Sequence, residues 1–190
     1  MAEADRFSIP VSAGAVAGVV AWLVGYLLTY VVTIGRIEES FAAQGLQLLT
    51  DEAAEWRLVG WLFYNAHWVD VRIPRGPFTP ANVNVLAADD GTLSALYLVP
   101  PALLVAAGVL VTWHRRTELR GGADAVLSGV TVLAGYLPLT IAGVVATTVT
   151  VGGETIRPDL VTATFLAGVV YPTLFGVLGG LLVWVTVGRR

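Results

Sequence analysis

Residues 125–153 read AVLSGVTVLAGYLPLTIAGVVATTVTVGG, a run that contains no Asp, Glu, Lys or Arg. A helix needs roughly 20 apolar residues to cross the hydrocarbon core of a bilayer, and this run is long enough. Three further charge-free runs have the same property: 7–35, 91–114 and 160–188. The sequence therefore predicts an all-α integral membrane protein forming a single membrane domain. Its four transmembrane helices are expected at about 11–34, 93–113, 126–150 and 161–187.

The composition supports this fold class and excludes several functions. Charged residues make up 13% of the chain and hydrophobic residues 56%, whereas a soluble domain carries about 25% charged residues. The chain has no cysteine, which rules out disulfides, thiolate metal sites and a cysteine nucleophile. Its 11 basic residues are all arginine, the net charge is −3, and no basic patch for nucleic acid stands out. We expect no cofactor, no metal site and no nucleic-acid partner.

The segment 36–90 is predicted to be an insertion outside the membrane. It holds most of the acidic residues and is the only connection large enough for folded elements of its own. The spacing of Ile37, Phe41 and Leu48 favours an amphipathic helix at its start. The stretches 69–73 and 82–85 alternate with period two on either side of a proline-rich turn, which favours a small β-hairpin.

Arginines in the short connections predict the orientation of the spans, because such residues concentrate on the cytoplasmic side. Most of them fall on one side of the four predicted helices: Arg6, Arg115, Arg116, Arg120, Arg189 and Arg190. The sequence therefore predicts a multi-pass protein of the cell membrane with its N- and C-termini in the cytoplasm. The 36–90 insertion is then extracytoplasmic.

The densest group of unusual residues is 56–69, WRLVGWLFYNAHWV, which holds half of the six tryptophans. The segment is too short to cross a bilayer, so we expect it to lie along the interface or to re-enter the bundle. Read as a helix, it places Trp61, Tyr64, Asn65 and Trp68 on one face, with His67 displaced from that face.

Within this segment, the string VGWLFYNAHWV follows a first span and an acidic stretch. It resembles the signature of a family of uncharacterised haloarchaeal multi-pass membrane proteins, of the form GWxFYNAHxV. An acidic composition with arginine and no lysine is in keeping with that source. Members of the family are sometimes labelled transporters, without an established activity. The resemblance thus implies a place in the membrane and no particular mechanism.

Asn65 and His67 admit two interpretations. They could form a ligand or pH-sensing site, since histidine changes its charge near neutral pH. They could instead bond to loop backbone and clamp the segment onto the bundle, which is the interpretation we favour. His114 adjoins two arginines at a span end, where contact with lipid phosphate explains it.

Three of the four predicted spans contain prolines with a tyrosine nearby. In two of these spans a threonine follows the proline within two residues. A proline inside a helix frees a carbonyl that must find another donor, so kinks are expected. The kinks could line a polar cavity, as in transporters with broken helices, or could only shape the packing. The residues concerned are Tyr97, Pro100, Pro101, Tyr136, Pro138, Thr140, Tyr171, Pro172 and Thr173.

Two glycine pairs, Gly14 with Gly18 and Gly176 with Gly180, have the GxxxG spacing that lets helix backbones touch. We expect them to pack helices within the bundle, with contact between copies of the chain as the alternative.

No pattern for a catalytic nucleophile, a metal-dependent hydrolase or a phosphate-binding loop is present in the sequence. Ion-coupled carriers usually place an acid or base inside the membrane, and the four predicted spans have none. We therefore expect a non-enzymatic structural, accessory or sensor protein. The alternative is a small-solute transporter or channel that uses hydroxyls and carbonyls. The expected partners are the lipid bilayer and either another membrane protein or a second copy of the chain.

Overall fold

The computed structural model describes residues 8–38, 55–74, 80–88, 91 and 93–187. The predicted amphipathic helix around Phe41 and Leu48 lies outside the described residues. Four described helices are long and apolar enough to cross a membrane, and their bounds are Val11–Ile37, Ser94–His114, Gly122–Ala146 and Leu160–Val187. They are called the first to fourth spans below.

The spans are not all single α-helices. The first is helix α1, Val11–Glu38. Between the first two spans lie α2, Glu55–Asn65, and the one-turn helix α3, Val85–Ala88. A 3₁₀ turn then leads into the helix of the second span. The remaining helical elements are α4 Val99–His114, α5 Gly122–Val130, α6 Leu133–Ala146, α7 Leu160–Thr162, a π-helical stretch Ala163–Val170 and α8 Tyr171–Val187.

Glycines set the distance between the spans. A Cβ on Gly108 would lie 2.1 Å from the carbonyl oxygen of Gly176, so the second and fourth spans touch through their backbones. Gly180 packs in the same way on Ala125 of the third span. Small residues permit this close approach, and side chains then pack around it.

The GxxxG pair of Gly14 and Gly18 lies where the first span packs on the third. A Cβ on Gly14 would collide with Thr131, and one on Gly18 with the carbonyl of Val132. Both GxxxG pairs thus make contacts inside one bundle.

A four-stranded antiparallel sheet, built from two hairpins, covers one end of the bundle. The expected hairpin is formed by β1, Val71–Pro74, and β2, Pro80–Val83, with Val71 opposite Val83. The second hairpin is β3, Val149–Val151, and β4, Glu154–Pro158, which the sequence analysis did not predict.

The second hairpin changes the predicted boundary of the third span. That span was expected to continue to Thr150, but its helix ends at Ala146. The β-branched residues from Thr147 to Val151 favour a strand, and Gly152 and Gly153 supply the positive φ angles of 59° and 85° that a two-residue turn requires.

The prolines differ in their effects, which corrects part of the sequence interpretation. Pro100 and Pro101 lie in the first turn of α4, where a missing N–H costs little, so they do not interrupt a helix. Pro138 lies inside α6. Pro172 follows the π-helical stretch, as the second residue of α8.

The start of α1 and the sheet lie at opposite ends of the bundle. Arg115, just after the second span, donates to the carbonyl of Ser8 over 3.1 Å, which places the start of α1 beside the second connection. At the opposite end β1 pairs with β4, so the sheet joins the connection after the first span to the connection after the third. We call these the arginine end and the sheet end.

Candidate functional site: a buried histidine and its tyrosine partner

Helix α2 is the element around which the sheet end is organised. Phe63 lies in a core cluster with residues of all four spans. Trp61 packs under the sheet with Val71 and Val149, and Tyr64 packs against the third and fourth spans. The whole stretch 59–67 is buried, although it is not one of the spans. The segment singled out in the sequence therefore packs into the bundle rather than on its surface.

The helix ends at Asn65, which corrects one predicted detail. Residues 66–68 form a turn, and Trp68 adopts a φ of 59°, a left-handed conformation that is unusual for a bulky side chain. Trp68 therefore does not share the α2 face with Trp61 and Tyr64. Trp68 is 57% exposed, and its ring stacks on Tyr97 of the second span, with the ring centres 4.5 Å apart.

His67 belongs to this turn. Its side chain is fully buried, and both of its ring nitrogens are hydrogen-bonded. Its Nδ1 atom lies 2.7 Å from the carbonyl oxygen of Phe63, and its Nε2 atom lies 2.7 Å from the hydroxyl of Tyr136. A carbonyl only accepts, so we assign the proton to Nδ1. Nε2 then accepts from the tyrosine, and the neutral imidazole satisfies both of its polar atoms.

Aromatic rings enclose the rest of the imidazole. The Phe63 ring meets it edge-on at 4.7 Å, and Tyr171 of the fourth span lies at 5.1 Å. Burial among these groups lowers the pKa of His67 from 6.5 to about 4, while the Phe63 carbonyl offsets part of that effect. The histidine is thus neutral at ordinary pH.

Asn65 fixes the turn and the chain that follows it. Its side-chain amide donates to the carbonyl of Val69, and its side-chain oxygen accepts from the backbone N–H of Val85, both over 2.9 Å. Asn84, next to Val85, also reaches the Asn65 carbonyl at 3.4 Å. The amide therefore uses both of its ends to bind loop backbone.

Two further side chains of α2 bind the third span. The indole of Trp61 donates to the carbonyl of Thr147 over 2.9 Å. The hydroxyl of Tyr64 donates to the carbonyl of Thr140, and the Thr140 hydroxyl donates to the backbone carbonyl of Tyr136. Together with His67, these side chains attach α2 to the third span along about three helical turns.

A family of unknown function, DUF7978, matches residues 2–187. The chain belongs to this family. No curated protein and no solved structure matches it. The match covers the spans, α2 and the sheet together, so the segment 56–69 is part of the family's matched region.

Only some of the residues predicted to line a cavity lie close together in the structure. Tyr136, Thr140 and Tyr171 lie around His67 or next to it, and Pro172 is buried. Pro138 points to the outside of the bundle. Tyr97 lies with Trp68 nearer the surface. Thr140 is 1% exposed and its hydroxyl is already bonded, so the hydroxyl is not turned toward an open channel.

Metal-binding geometry is not found in the described part of the chain. No group of three His, Cys, Asp or Glu side chains lies close enough there to hold an ion. His114 is exposed at the arginine end, far along the sequence from His67 and on the other side of the bundle.

One polar contact at the sheet end was not foreseen. Asp159 accepts from the N–H of Thr162 over 2.8 Å, which caps the fourth span, and it forms an ion pair with Arg72 of β1. Burial alone would raise the pKa of Asp159, but the Thr162 hydrogen bonds and the nearby arginines lower it below its usual value. An aspartate three residues before a threonine at the start of an apolar run was the available capping signal.

Proposed function

We propose that the protein is a non-enzymatic, multi-pass protein of the cell membrane with a structural or accessory role. The observation that carries this proposal is that Asn65 and His67, buried inside the bundle, each have both polar ends hydrogen-bonded. Both residues are 0% exposed, and these hydrogen bonds are all made to protein groups. A catalytic or transport site needs such groups to be open to a substrate.

The proposed accessory role is supported by the surface that the sheet end presents to other molecules. The buried α2 segment holds a small sheet above four apolar helices, and the sheet ties two connections of the chain together. Trp68 is exposed near the sheet and is held by stacking on Tyr97, so its ring is available to another molecule. The acidic, lysine-free composition and the VGWLFYNAHWV string support a haloarchaeal source and a signature role for this segment in the family.

The clamp interpretation is tested by replacing Asn65 and His67 with alanine, singly and together. Each variant leaves buried partners without a bond, so the yield of folded protein in membranes is expected to fall. Trp68→Phe is the matched control, because it keeps an aromatic ring on Tyr97 and removes no hydrogen bond of α2. Wild-type yield in the double variant would contradict the structural role.

The proposed orientation puts both termini in the cytoplasm and the sheet outside. The chain has no cysteine, so a single introduced thiol reports its side without background. Thr155→Cys, on the exposed face of β4, should react with an impermeant maleimide on intact cells. Ala123→Cys, at the arginine end, should react only after the membrane is opened. The reverse labelling pattern would overturn the orientation.

A small-solute carrier or channel is the second candidate, and one observation favours it. The fourth span contains eight π-helical residues, Ala163–Val170, directly before Tyr171, whose ring lies 5.1 Å from that of His67. Such stretches are often found at functional sites because they loosen the helical hydrogen bonding. Proteoliposomes loaded with small polar solutes distinguish the two candidates: faster efflux with wild-type protein than with protein-free vesicles would favour the carrier.

A further inference from the structure

A cavity at the arginine end has no role in the clamp described above. It is partly open to the surface, measures about 320 Å³ and is lined by the ends of the second and fourth spans and by the connection after the second span: Trp113, Arg116, Thr117, Thr186 and Val187. Ligand pockets start at about this size, so the cavity is large enough for a small headgroup. Its floor comes from the last residues of two apolar spans and its rim from the arginine-containing connection.

Arg116 gives the cavity its charge. One of its nitrogens donates to the carbonyl of Trp113 over 3.1 Å, and its guanidinium lies 4.8 Å above the Trp113 ring. These contacts hold the side chain in place and leave most of its five donors unused. In the described part of the chain no carboxylate pairs with it, whereas the neighbouring Arg115 is paired with Glu118.

The other lining groups suit a ligand with an anionic head and an apolar body. The hydroxyl of Thr186 donates to the carbonyl of Val183, so its oxygen can still accept, and Thr117 adds a second hydroxyl at the rim. Trp113 and Val187 supply apolar wall. Arginine binds phosphate oxygens in a fork, and tryptophan is enriched where headgroups meet the hydrocarbon.

We infer that this cavity binds the phosphate of an anionic membrane lipid, with Arg116 as its main ligand and the acyl chains lying along the second and fourth spans. The inference rests on the proposed membrane location, which places span ends at headgroup level. Basic pockets between helix ends at the cytoplasmic side are a recurrent form of lipid-headgroup site.

The test is a titration of purified protein in a non-phospholipid detergent with phosphatidylglycerol, followed by native mass spectrometry of the bound lipid. Arg116→Gln should weaken phosphatidylglycerol binding about fivefold, the effect of one arginine at a lipid surface. Thr186→Phe, which fills the cavity and changes no charge, should weaken it to a similar extent. Arg120→Gln is the control, because Arg120 is exposed at the same end without lining the cavity.

Several results would overturn the inference. Equal losses in Arg116→Gln and Arg120→Gln would mean diffuse surface charge, and unchanged binding in Thr186→Phe would mean an empty cavity. Equal binding of phosphatidylcholine would remove the preference for an anion. Displacement of the lipid by excess inorganic phosphate would assign the site to free phosphate instead.

Membrane fractionation separates this inference from the proposed function. Release of the wild-type protein from membranes by alkaline carbonate would refute the membrane location itself. Retention in the membrane without a preference for phosphatidylglycerol would refute only the lipid site.

Discussion

The hydroxyl of Tyr136 donates to Nε2 of His67 over 2.7 Å and thereby fixes the turn after α2 to the third span. The two residues are 69 positions apart, and both are at most 1% exposed. Neither could be hydrated if the contact broke, so each depends on the other for its hydrogen bond. The contact therefore supports a structural role for the buried segment, as a clamp on the third span.

Tyr136→Phe should lower the free energy of unfolding by about 1–3 kcal/mol, because it leaves a buried imidazole nitrogen without its donor. Chemical unfolding of the purified protein in detergent measures the loss. Tyr30→Phe is the matched control: Tyr30 is half-buried in the neighbouring cluster and its hydroxyl has no hydrogen bond among the described residues. An equal effect of the two changes would show that the His67 contact contributes nothing specific.

Stability should decrease in mild acid because of His67. Its pKa is lowered from 6.5 to about 4 in the folded protein, so the unfolded chain binds a proton more readily between these values. The contribution of neutral His67 to the free energy of unfolding is therefore fully present above pH 6.5. It falls as the pH approaches 4, by about 3 kcal/mol in total.

Unfolding curves at several pH values check this expectation. His67→Gln should flatten the pH dependence in that window, whatever its effect on overall stability. His114→Gln alters the exposed histidine at the arginine end and should leave the dependence unchanged. A wild-type slope in His67→Gln would assign the acid sensitivity to other groups.

The four spans could be predicted from the sequence because the absence of charge over 20 or more residues is a local property. The hairpin of β1 and β2 was equally accessible from its alternation of residues. The hairpin of β3 and β4 was missed because 149–153 continued a charge-free run, and the predicted membrane helix was extended into that run as far as Thr150. The Gly152–Gly153 pair was the signal that should have ended the helix.

The polar partners of α2 could not be predicted, for a different reason. His67 and Tyr136 meet only because α2 packs between distant spans, and nothing in the local pattern of either segment encodes that distance. The left-handed conformation of Trp68 could not be predicted from the sequence either, since tryptophan gives no indication of a positive φ. The sequence showed that 56–69 was unusual, and tertiary packing decided what its residues bind.

Gly135→Ala should destabilise the bundle strongly. The added Cβ would lie 1.8 Å from the carbonyl oxygen of Ala15, and backbone on two helices would have to move apart. Overpacking of this kind costs about 1–3 kcal/mol or more. Gly35→Ala is the control, because nothing lies within 4 Å of its Cβ position in α1.

Replacing that exposed helical glycine should be neutral or stabilise by up to about 1 kcal/mol. Thermal unfolding monitored by size-exclusion chromatography separates the two variants. Similar midpoints for Gly135→Ala and wild type would show that the first and third spans are less closely packed than the contact of Gly135 with Ala15 indicates.

Asp159 should contribute to stability more as a helix cap than as an ion pair. Arg72, its partner, has a side chain that is 54% exposed, so the pair is worth about 0–1 kcal/mol. The bond to the N–H of Thr162 has no substitute within the fourth span, and loss of such a cap costs about 1 kcal/mol. Asp159→Asn keeps an acceptor for Thr162, so it should lose clearly less stability than Asp159→Ala.

The pH dependence gives a second measurement on the same residue. The lowered pKa of Asp159 means that its charged form stabilises the fold above the ordinary value of 3.8, and this contribution is lost as the pH falls through the lower folded value. Asp159→Asn should remove that acid-dependent loss while retaining the cap. If Asp159→Asn and Arg72→Gln instead destabilised the protein as much as Asp159→Ala, the ion pair and not the cap would hold the start of the fourth span against the sheet.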